Sequence, residues 1–211
     1  QFTKIKEILE EFNVPIFEKD GFEADDLIGT IAKKAPEKQI IPEIETIIIS
    51  GDLDTLQLVD KNTKVYTLKT GVKEIVLYNR EKVKERYGGL EPEQLPDFKA
   101  LKGDPSDNIP GVPGIGQKTA IELIKKFGNL ESLYQELETK TEKTKELKSK
   151  LREVLIKNKE QAFFSKTLAT IEKSVPIEFN LKKCQWGKYN KKKVAQVLKD
   201  LEFQSLIPRL P

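Results

Sequence analysis

The spacing of apolar residues changes at the glycine pair Gly88-Gly89, and this change constrains the fold more than any other feature of the sequence. Before the pair, helical spacing in residues 3–12 and 23–35 alternates with a continuous apolar run in 46–50. After the pair, apolar residues recur mainly at helical spacing. Helices that alternate with buried strands are typical of an α/β layer. The sequence therefore predicts an α/β fold with a parallel sheet in residues 1–88, followed by an all-helical domain in residues 89–211.

The predicted strands are short and apolar. Residues 46–50, Thr-Ile-Ile-Ile-Ser, form a run of the kind found in strands covered on both faces, and residues 64–68 and 74–77 are also strand-like. Asn79 is a candidate N-cap for a helix, and Pro36 is expected to end the helix that precedes it. Further helices are predicted in residues 93–101, 117–127, 130–137, 145–156, 160–171 and 191–201.

Composition excludes several kinds of site. The chain has no histidine, so it cannot build a Ser-His-Asp triad, a Cys-His pair or a His-ligated zinc site. Its only cysteine, Cys184, cannot form an intramolecular disulfide, which favours a reducing compartment. No apolar run approaches the roughly 20 residues of a membrane span. We therefore expect a cytoplasmic protein without a membrane partner, whose chemistry uses carboxylates, lysines, hydroxyls or a hard metal ion.

Acidic residues are concentrated in three segments, each at a point where a loop meets a helix or a strand. The first opens a predicted helix, where the helix dipole alone also stabilises acids. The second follows the apolar strand, where ligands collect in α/β sheets but where aspartate is also common in turns. The third is a loop in which aspartate also closes Asx turns. The acids are Glu23, Asp25 and Asp26, then Asp52 and Asp54, and finally Asp104 and Asp107.

Convergence of these acids would require a cation. Two carboxylates about 4 Å apart repel by about 4 kcal/mol at an effective dielectric constant of about 20. Oxygen-only ligands favour Mg²⁺ or Mn²⁺ over zinc, and the absence of histidine favours the same ions. Residue spacing alone leaves open whether the three segments converge.

A glycine-rich turn follows the third acidic segment. Residues 111–119 read GVPGIGQKT, and the lysine falls one place too late for a Walker A loop, G-x-x-x-x-G-K-[ST], which also needs a preceding strand. The turn instead leads into a helix near Gln117, whose first N–H groups, with those of Gly114 and Gly116, would face a phosphate. Lys118 would add charge, and such backbone contacts do not read base sequence. The alternative is a helix-turn-helix corner that only packs.

These motifs, in this order, resemble one family. The sequence reads GFEADD at 21–26, ISGDLD at 49–54, GDPSDNIPGV at 103–112 and GIGQKTA at 114–120. Together they resemble the 5′-nuclease domain of bacterial DNA polymerase I, a family similar to flap endonucleases. The resemblance covers most of the chain. It implies a PIN-like α/β nuclease layer, followed by a helical domain whose helix-three-turn-helix motif binds duplex DNA through phosphates.

The resemblance also implies roles for individual residues. Two Mg²⁺ or Mn²⁺ ions would activate a water for attack on a phosphodiester, and a monovalent cation would bind at the hairpin. The implied metal ligands are Glu23, Asp25 and Asp26 in the first region, and Asp52, Asp54, Asp104 and Asp107 in the second; all except Asp54 are also predicted to be catalytic. The residues implied in DNA binding are Gly114, Gly116, Gln117, Lys118 and Thr119.

The implied activity is that of a 5′-3′ exonuclease and 5′-flap endonuclease, acting in primer removal and repair in the bacterial cytoplasm. The implied partners are duplex DNA with a 5′ end or flap, including RNA-primed DNA, and a polymerase domain that follows; the chain is expected to be a monomer. The family's first strands, with two further aspartate ligands, and its basic arch have no counterpart here, and the chain has no methionine. We therefore expect a fragment. Two alternatives stay open: a non-catalytic module that binds duplex DNA, and a PIN-type ribonuclease.

Overall fold

The structure, a computed structural model, describes residues 2–37, 44–69 and 74–211. It contains two compact units, one formed by Gln1–Leu27 with Ser174–Pro211 and the other by Ile28–Lys173. The predicted class, an α/β layer followed by helices, is confirmed. The described helices and strands are α1 (Phe2–Glu11), α2 (Ala24–Glu37), β1 (Thr46–Ile49), β2 (Thr63–Lys69), β3 (Glu74–Tyr78), α3 (Arg80–Arg86), α4 (Leu95–Lys102), α5 (Gln117–Phe127), α6 (Leu130–Thr139), α7 (Glu142–Lys145), α8 (Ser149–Lys157), α9 (Lys159–Ala169) and α10 (Lys191–Asp200).

The three strands form one sheet in the order β1-β2-β3. The pairing of β1 with β2 is parallel, as predicted, with Thr46 opposite Thr63. The pairing of β2 with β3 is antiparallel, with Val65 opposite Tyr78. The sheet of the described residues is therefore mixed, because β2 and β3 are close in sequence and can pair without the long crossover that a parallel pair needs.

Strand β1 is buried on one face only. Ile48 is buried, whereas Ile47 and Ile49 are 50% and 74% exposed. The prediction that both faces are covered is therefore wrong in this structure. A run of isoleucines reports the hydrophobicity of both faces but not which neighbouring element covers each of them.

One hydrophobic core lies against the sheet. It contains Val65 and Leu56, both fully buried, together with Val83 of α3. Asn79 is the N-cap of α3, as predicted, and its side chain accepts a hydrogen bond from the Lys82 N–H at 3.0 Å.

Helix α2 continues to Glu37, past the proline expected to end it, because a proline removes one helical hydrogen bond without always ending a helix.

A second core joins α4, α5, α6, α8 and α9. The boundaries of α5 are those predicted, and its apolar residues Leu123 and Ile124 are buried. A buried aspartate ties three of these helices together: one carboxylate oxygen of Asp97 on α4 pairs with Lys166 of α9 at 2.6 Å and accepts from the N–H of Leu130 in α6 at 3.2 Å. These contacts fix α4, the helix that precedes the third acidic segment, against α6 and α9.

The unit formed by the chain ends is smaller. Helices α1 and α10 pack together in it, and the rings of Phe12 and Tyr189 lie 5.1 Å apart. Asn190 is the N-cap of α10 and accepts from two N–H groups of its first turn. None of the helices in the described parts of the chain combines the length and apolar character needed to cross a membrane.

Candidate metal centre and phosphate-binding hairpin

Asp52 and Asp54 lie where the chain leaves β1. A 3-10 helix, Leu53–Leu58, begins there with Asp52 as its N-cap, and the Asp52 carboxylate accepts from the Asp54 N–H at 2.8 Å. The Asp52 N–H in turn donates to the Ser50 hydroxyl at 3.0 Å. One oxygen of Asp52 therefore has the turn role that aspartate often has after a strand, and the turn fixes the direction of the half-buried Asp54.

Asp104 and Asp107 lie in a closed loop after α4. The backbones of Asp104 and Ile109 exchange two hydrogen bonds of 2.9 Å, and Asn108 takes the left-handed conformation that asparagine tolerates, with φ 55°. The Ser106 hydroxyl donates to the Asp104 carboxylate at 2.6 Å. The loop backbone and Ser106 therefore hold the Asp104 carboxylate independently of any side-chain cation.

Three of the predicted ligands meet around a lysine. Among the described residues, Asp54, Asp104 and Asp107 each offer a carboxylate oxygen, and these oxygens lie within 4.8 Å of one another. The ammonium of Lys99 on α4 lies 2.9 Å from Asp104 and 3.2 Å from Asp107, and it also pairs with Asp54. The sequence did not single out Lys99. Its signal is a lysine within the otherwise buried run Leu95–Leu101 of α4.

The pKa values of these groups reflect a balance between burial and their hydrogen bonds. The hydrogen bond from Lys99, followed by that from Ser106, lowers the pKa of Asp104 to about 2. Burial raises the pKa of Asp54, and the opposing effect of Lys99 does not fully offset it. Burial alone would lower the pKa of Lys99. The hydrogen bonds to Asp104 and Asp54 outweigh this effect, so the pKa of Lys99 is above its ordinary value. The ammonium is therefore the cation that balances this group of acids.

The same carboxylates line an open cleft of about 490 Å³, together with Gly51, Asp52 and Ser106. The charged side chains that line this cleft are all carboxylates. Carboxylate oxygens are the ligands of hard cations such as Mg²⁺ and Mn²⁺. The residues present therefore fit a divalent cation, and Asp54, Asp104 and Asp107 are the residues that could hold it.

Of the other three predicted ligands, Asp25 and Asp26 lie in the first turn of α2 and Glu23 directly precedes the helix. Asp25 and Asp26 are half-buried and Glu23 is exposed. The Asp26 carboxylate accepts from the Glu23 N–H at 3.1 Å, which satisfies one of the free N–H groups at the start of the helix. These acids belong to the unit formed by the chain ends, whereas Lys99 and its carboxylates belong to the other. Their convergence on one metal centre stays a prediction.

The glycine hairpin is open where the predicted DNA contacts lie. Gly114 has φ +79°, Gly116 is the N-cap of α5, and a Cβ added at either would meet no atom within 4 Å. Lys118 is exposed and Thr119 half-buried in the first turn of α5. Glycine supplies no capping side chain, so the first N–H groups of α5 have none from the N-cap residue. The hairpin has the open backbone that an anion at a helix N-terminus requires.

A pair of glycines joins the acidic loop to the hairpin. Gly103 precedes Asp104 and Gly111 opens the hairpin; a Cβ added at Gly111 would lie 2.3 Å from the Gly103 nitrogen. Gly111 is also held by α9, since its N–H donates to the Ser165 hydroxyl at 3.1 Å and its carbonyl accepts from Gln161 at 2.6 Å. The carboxylate loop and the hairpin are therefore fixed to each other through backbone contacts.

Two family models match the chain. Residues 1–88 match the model described as 5′-3′ exonuclease, N-terminal resolvase-like domain. Residues 90–192 match the model described as 5′-3′ exonuclease, C-terminal SAM fold. Together they account for most of the sequence.

Curated relatives agree with the family models. DNA polymerase I of Chloroflexus aurantiacus is 42% identical over the whole chain, which spans 22% of that protein. DNA polymerase I of Caldicellulosiruptor bescii is 43% identical, again over the whole chain and 24% of the relative. The chain thus spans about a quarter of the length of these relatives.

Solved structures of similar fold include a 5′-exonuclease with bound metal and a protein in complex with DNA. T5 5′-exonuclease with bound divalent metal ions (zinc) gives a TM-score of 0.63 at 22% identity, over 92% of this chain and 59% of the other. The catalytic core of Rad2 in complex with DNA substrate gives 0.62 at 20% identity, over 99% and 67%. At such identities the likeness shows the fold. The two family models together match residues 1–88 and 90–192. The chain therefore belongs to the 5′-3′ exonuclease family, whose domain forms part of DNA polymerase I in the curated relatives.

Proposed function

We propose that this chain is the nuclease part of a divalent-metal-dependent 5′-3′ exonuclease and 5′-flap endonuclease that hydrolyses phosphodiesters of DNA. The observation that carries the proposal is the group of Asp54, Asp104 and Asp107 around one ammonium, fixed by backbone contacts to an open glycine hairpin. Membership of the 5′-3′ exonuclease family supports the reaction class. The Rad2 core complexed with DNA and the zinc-bound T5 enzyme support the substrate and the need for a metal.

The acidic residues would divide between two Mg²⁺ or Mn²⁺ ions. When bound, such ions supply an activated water and stabilise the leaving oxygen of an in-line displacement. The chain's own residues hold the geometry: the turn at Asp52 directs Asp54, and the closed loop with Ser106 directs Asp104. The proposed ligands are Glu23, Asp25 and Asp26 for one ion and Asp52, Asp54, Asp104 and Asp107 for the other.

The hairpin would hold the duplex away from the scissile bond. N–H groups at Gly114, Gly116 and Gln117 would donate to a phosphate, while Lys118 and Thr119 add a charge and a hydroxyl. A monovalent cation at hairpin carbonyls would join the protein to the phosphate. Because these contacts reach only the backbone, the grip would be independent of base sequence and sensitive to salt.

The full setting of the activity is also proposed. The relatives are DNA polymerases I about four times longer than this chain, so a polymerase domain would accompany it. Substrates would be duplexes with a 5′ end or flap, including RNA-primed DNA, in the cytoplasm of a bacterium, and the chain would act as a monomer.

Cleavage of a 5′-labelled flap duplex with Mg²⁺ tests the proposal. We would compare this chain with the same chain extended at its N-terminus, each with Asp52→Asn, Asp104→Asn or the control Asp60→Asn. Asp60 is an exposed aspartate of the same unit whose carboxylate accepts backbone N–H groups, a role that asparagine keeps. Loss of cleavage for the first two variants but not for the control is expected. An unchanged rate with Asp104→Asn in the extended protein would overturn the metal assignment.

A second candidate, a non-catalytic module for duplex DNA, is favoured by one observation. Lys99 already neutralises part of the carboxylate group, so these acids also have a structural partner. Under this candidate the chain binds duplex DNA through the hairpin with the same affinity in Mg²⁺ and in EDTA. The same flap assay separates the two, because this candidate gives no cleavage in either the short or the extended protein.

A further inference from the structure

Lys99 is placed as an internal counter-ion rather than as a surface lysine. Its side chain is 15% exposed, and it contacts three carboxylates from two separate segments of the chain. An ammonium has three N–H donors, so these three contacts satisfy it completely. The helix that carries it is fixed, since the neighbouring residues Phe98 and Ala100 are buried.

The three carboxylates that contact Lys99 are the ones that could hold a metal ion. Lys99 contacts Oδ1 of Asp54, Oδ2 of Asp104 and Oδ2 of Asp107, one from each residue of the group that could hold a cation. A divalent ion of the Mg²⁺ type requires oxygen ligands at about 2.1 Å, which leaves no room for an ammonium at the same oxygens. The two positive groups would also repel each other at this separation.

We propose that Lys99 competes with the divalent cation for these carboxylates and thereby sets the metal affinity of the site. This inference rests on the proposed function, because it takes the three aspartates as metal ligands. Without metal, the ammonium keeps the carboxylates together; when an ion binds, the lysine side chain leaves them while α4 stays in place. Lys99 is thus a positioning residue for the site and not one of its ligands.

Removal of Lys99 has two opposing effects on metal binding. It removes a competitor, which tightens binding, and it removes a group that gathers the carboxylates, which weakens binding. The second effect is the smaller one, because two of the three carboxylates are also held without Lys99. Asp104 is fixed by its exchange with Ile109 and by Ser106, and Asp54 follows the turn capped by Asp52. Tighter binding is therefore the expected net result.

Binding of Mn²⁺ to the DNA-free chain, followed by the electron paramagnetic resonance signal of free Mn²⁺, tests the inference. Lys99→Met and Lys99→Gln are expected to bind Mn²⁺ about tenfold more tightly than the unmodified chain, on the scale of one nearby charge at partial exposure. Lys99→Arg, which keeps the charge, should stay close to the unmodified chain. Lys102→Met is the matched control, since Lys102 is an exposed lysine of the same helix outside the carboxylate group.

Thermal unfolding gives a second readout. Without metal, Lys99→Met should unfold at a lower temperature than the unmodified chain, because its carboxylates repel each other without a counter-ion. Addition of Mn²⁺ should raise the unfolding temperature of Lys99→Met more than that of the unmodified chain. Lys99→Gln keeps a hydrogen-bond donor and serves if the methionine variant fails to fold. Equal or weaker Mn²⁺ affinity in the folded neutral variant would overturn the inference.

Asp104→Asn separates failure of the inference about Lys99 from failure of the proposed function. If Asp104→Asn weakens Mn²⁺ binding but neutralising Lys99 does not tighten it, the metal site stands and Lys99 is only a structural partner. If Asp104→Asn leaves Mn²⁺ affinity unchanged, the carboxylate group is not a metal site and the proposed function loses its carrying observation.

Discussion

Two members of the carboxylate group, Asp104 and Asp107, directly precede the glycine hairpin in the sequence, yet the two regions are built in opposite ways. The carboxylate group consists of side chains: Asp54 and Asp104 are half-buried, and Lys99 among them supplies a balancing charge. The hairpin consists of exposed backbone, with open space at Gly114 and Gly116. One region is balanced internally, and the other leaves its donors open to an anion.

The difference follows from the charge that each region would bind. A divalent cation needs several negative groups close together, and the folded chain tolerates that repulsion only with a counter-ion or with an ion bound. A phosphate needs N–H groups that point outward, which a helix N-terminus offers at no electrostatic cost. Substitutions in the two regions should therefore affect different measurements, and the following predictions test that separation.

The largest effect is expected for the carboxylate group. Asp104→Asn in the N-terminally extended protein should slow flap cleavage by about a hundredfold or more, the scale of losing one group that supports transition-state charge. Affinity for the duplex should change little, because the hairpin is intact. Single-turnover rates and binding titrations measure the two separately, and a parallel loss of affinity would contradict the separation.

The junction between the regions should be sensitive to volume. Gly111 has φ +62°, and Gly111→Ala places a Cβ 2.3 Å from the Gly103 nitrogen. We therefore expect the free energy of unfolding to fall by about 3 kcal/mol. Gly114→Ala, strained at φ +79° but in open space, should cost about 1 kcal/mol. Gly116→Ala, with φ −90°, should be close to neutral. Urea unfolding of the three variants checks the order; equal losses would mean that the junction is not close-packed.

The hairpin's charge should affect affinity alone. Lys118→Ala should weaken duplex binding about threefold to tenfold across unrelated sequences and reduce the slope of log affinity against log salt by about 1. Lys125→Ala, an exposed lysine at the other end of α5, is the control. An unchanged salt slope would reject a phosphate contact at Lys118.

The smallest effect is expected at Ser106. Its hydroxyl donates to Asp104 at 2.6 Å and contributes to the low pKa of that carboxyl. Ser106→Ala should move the pKa of Asp104 upward in the metal-free chain, and it should slow cleavage only a few-fold, since the loop backbone still holds Asp104. Carboxyl titration by NMR in the metal-free chain, beside cleavage rates, checks this; a loss as large as that of Asp104→Asn would give Ser106 a role of its own.

Local signals predicted much of the fold. Helix α5 has the predicted bounds because a glycine stands at each end, and α3 begins at the predicted cap because Asn79 has the right side chain. The coverage of β1 was predicted wrongly, and the antiparallel partner of β2 was not predicted. Which element lies on a strand's outer face depends on tertiary neighbours that a run of isoleucines does not encode.

Motif order predicted the family, and the resemblance to that family assigned the second and third acidic segments to one metal region. The lysine at their centre was not predicted, because it reaches them from α4 only through the packing of that helix. The close approach of Gly103 and Gly111 was missed for the same reason: glycine in a loop is consistent with many turns.

The most direct test of the account is an anomalous difference map from crystals of this chain soaked in Mn²⁺. A peak is expected among the oxygens of Asp54, Asp104 and Asp107, about 2.1 Å from at least two of them, with the Lys99 ammonium moved away. No peak at these residues, with Lys99 still in contact with all three carboxylates, would contradict it.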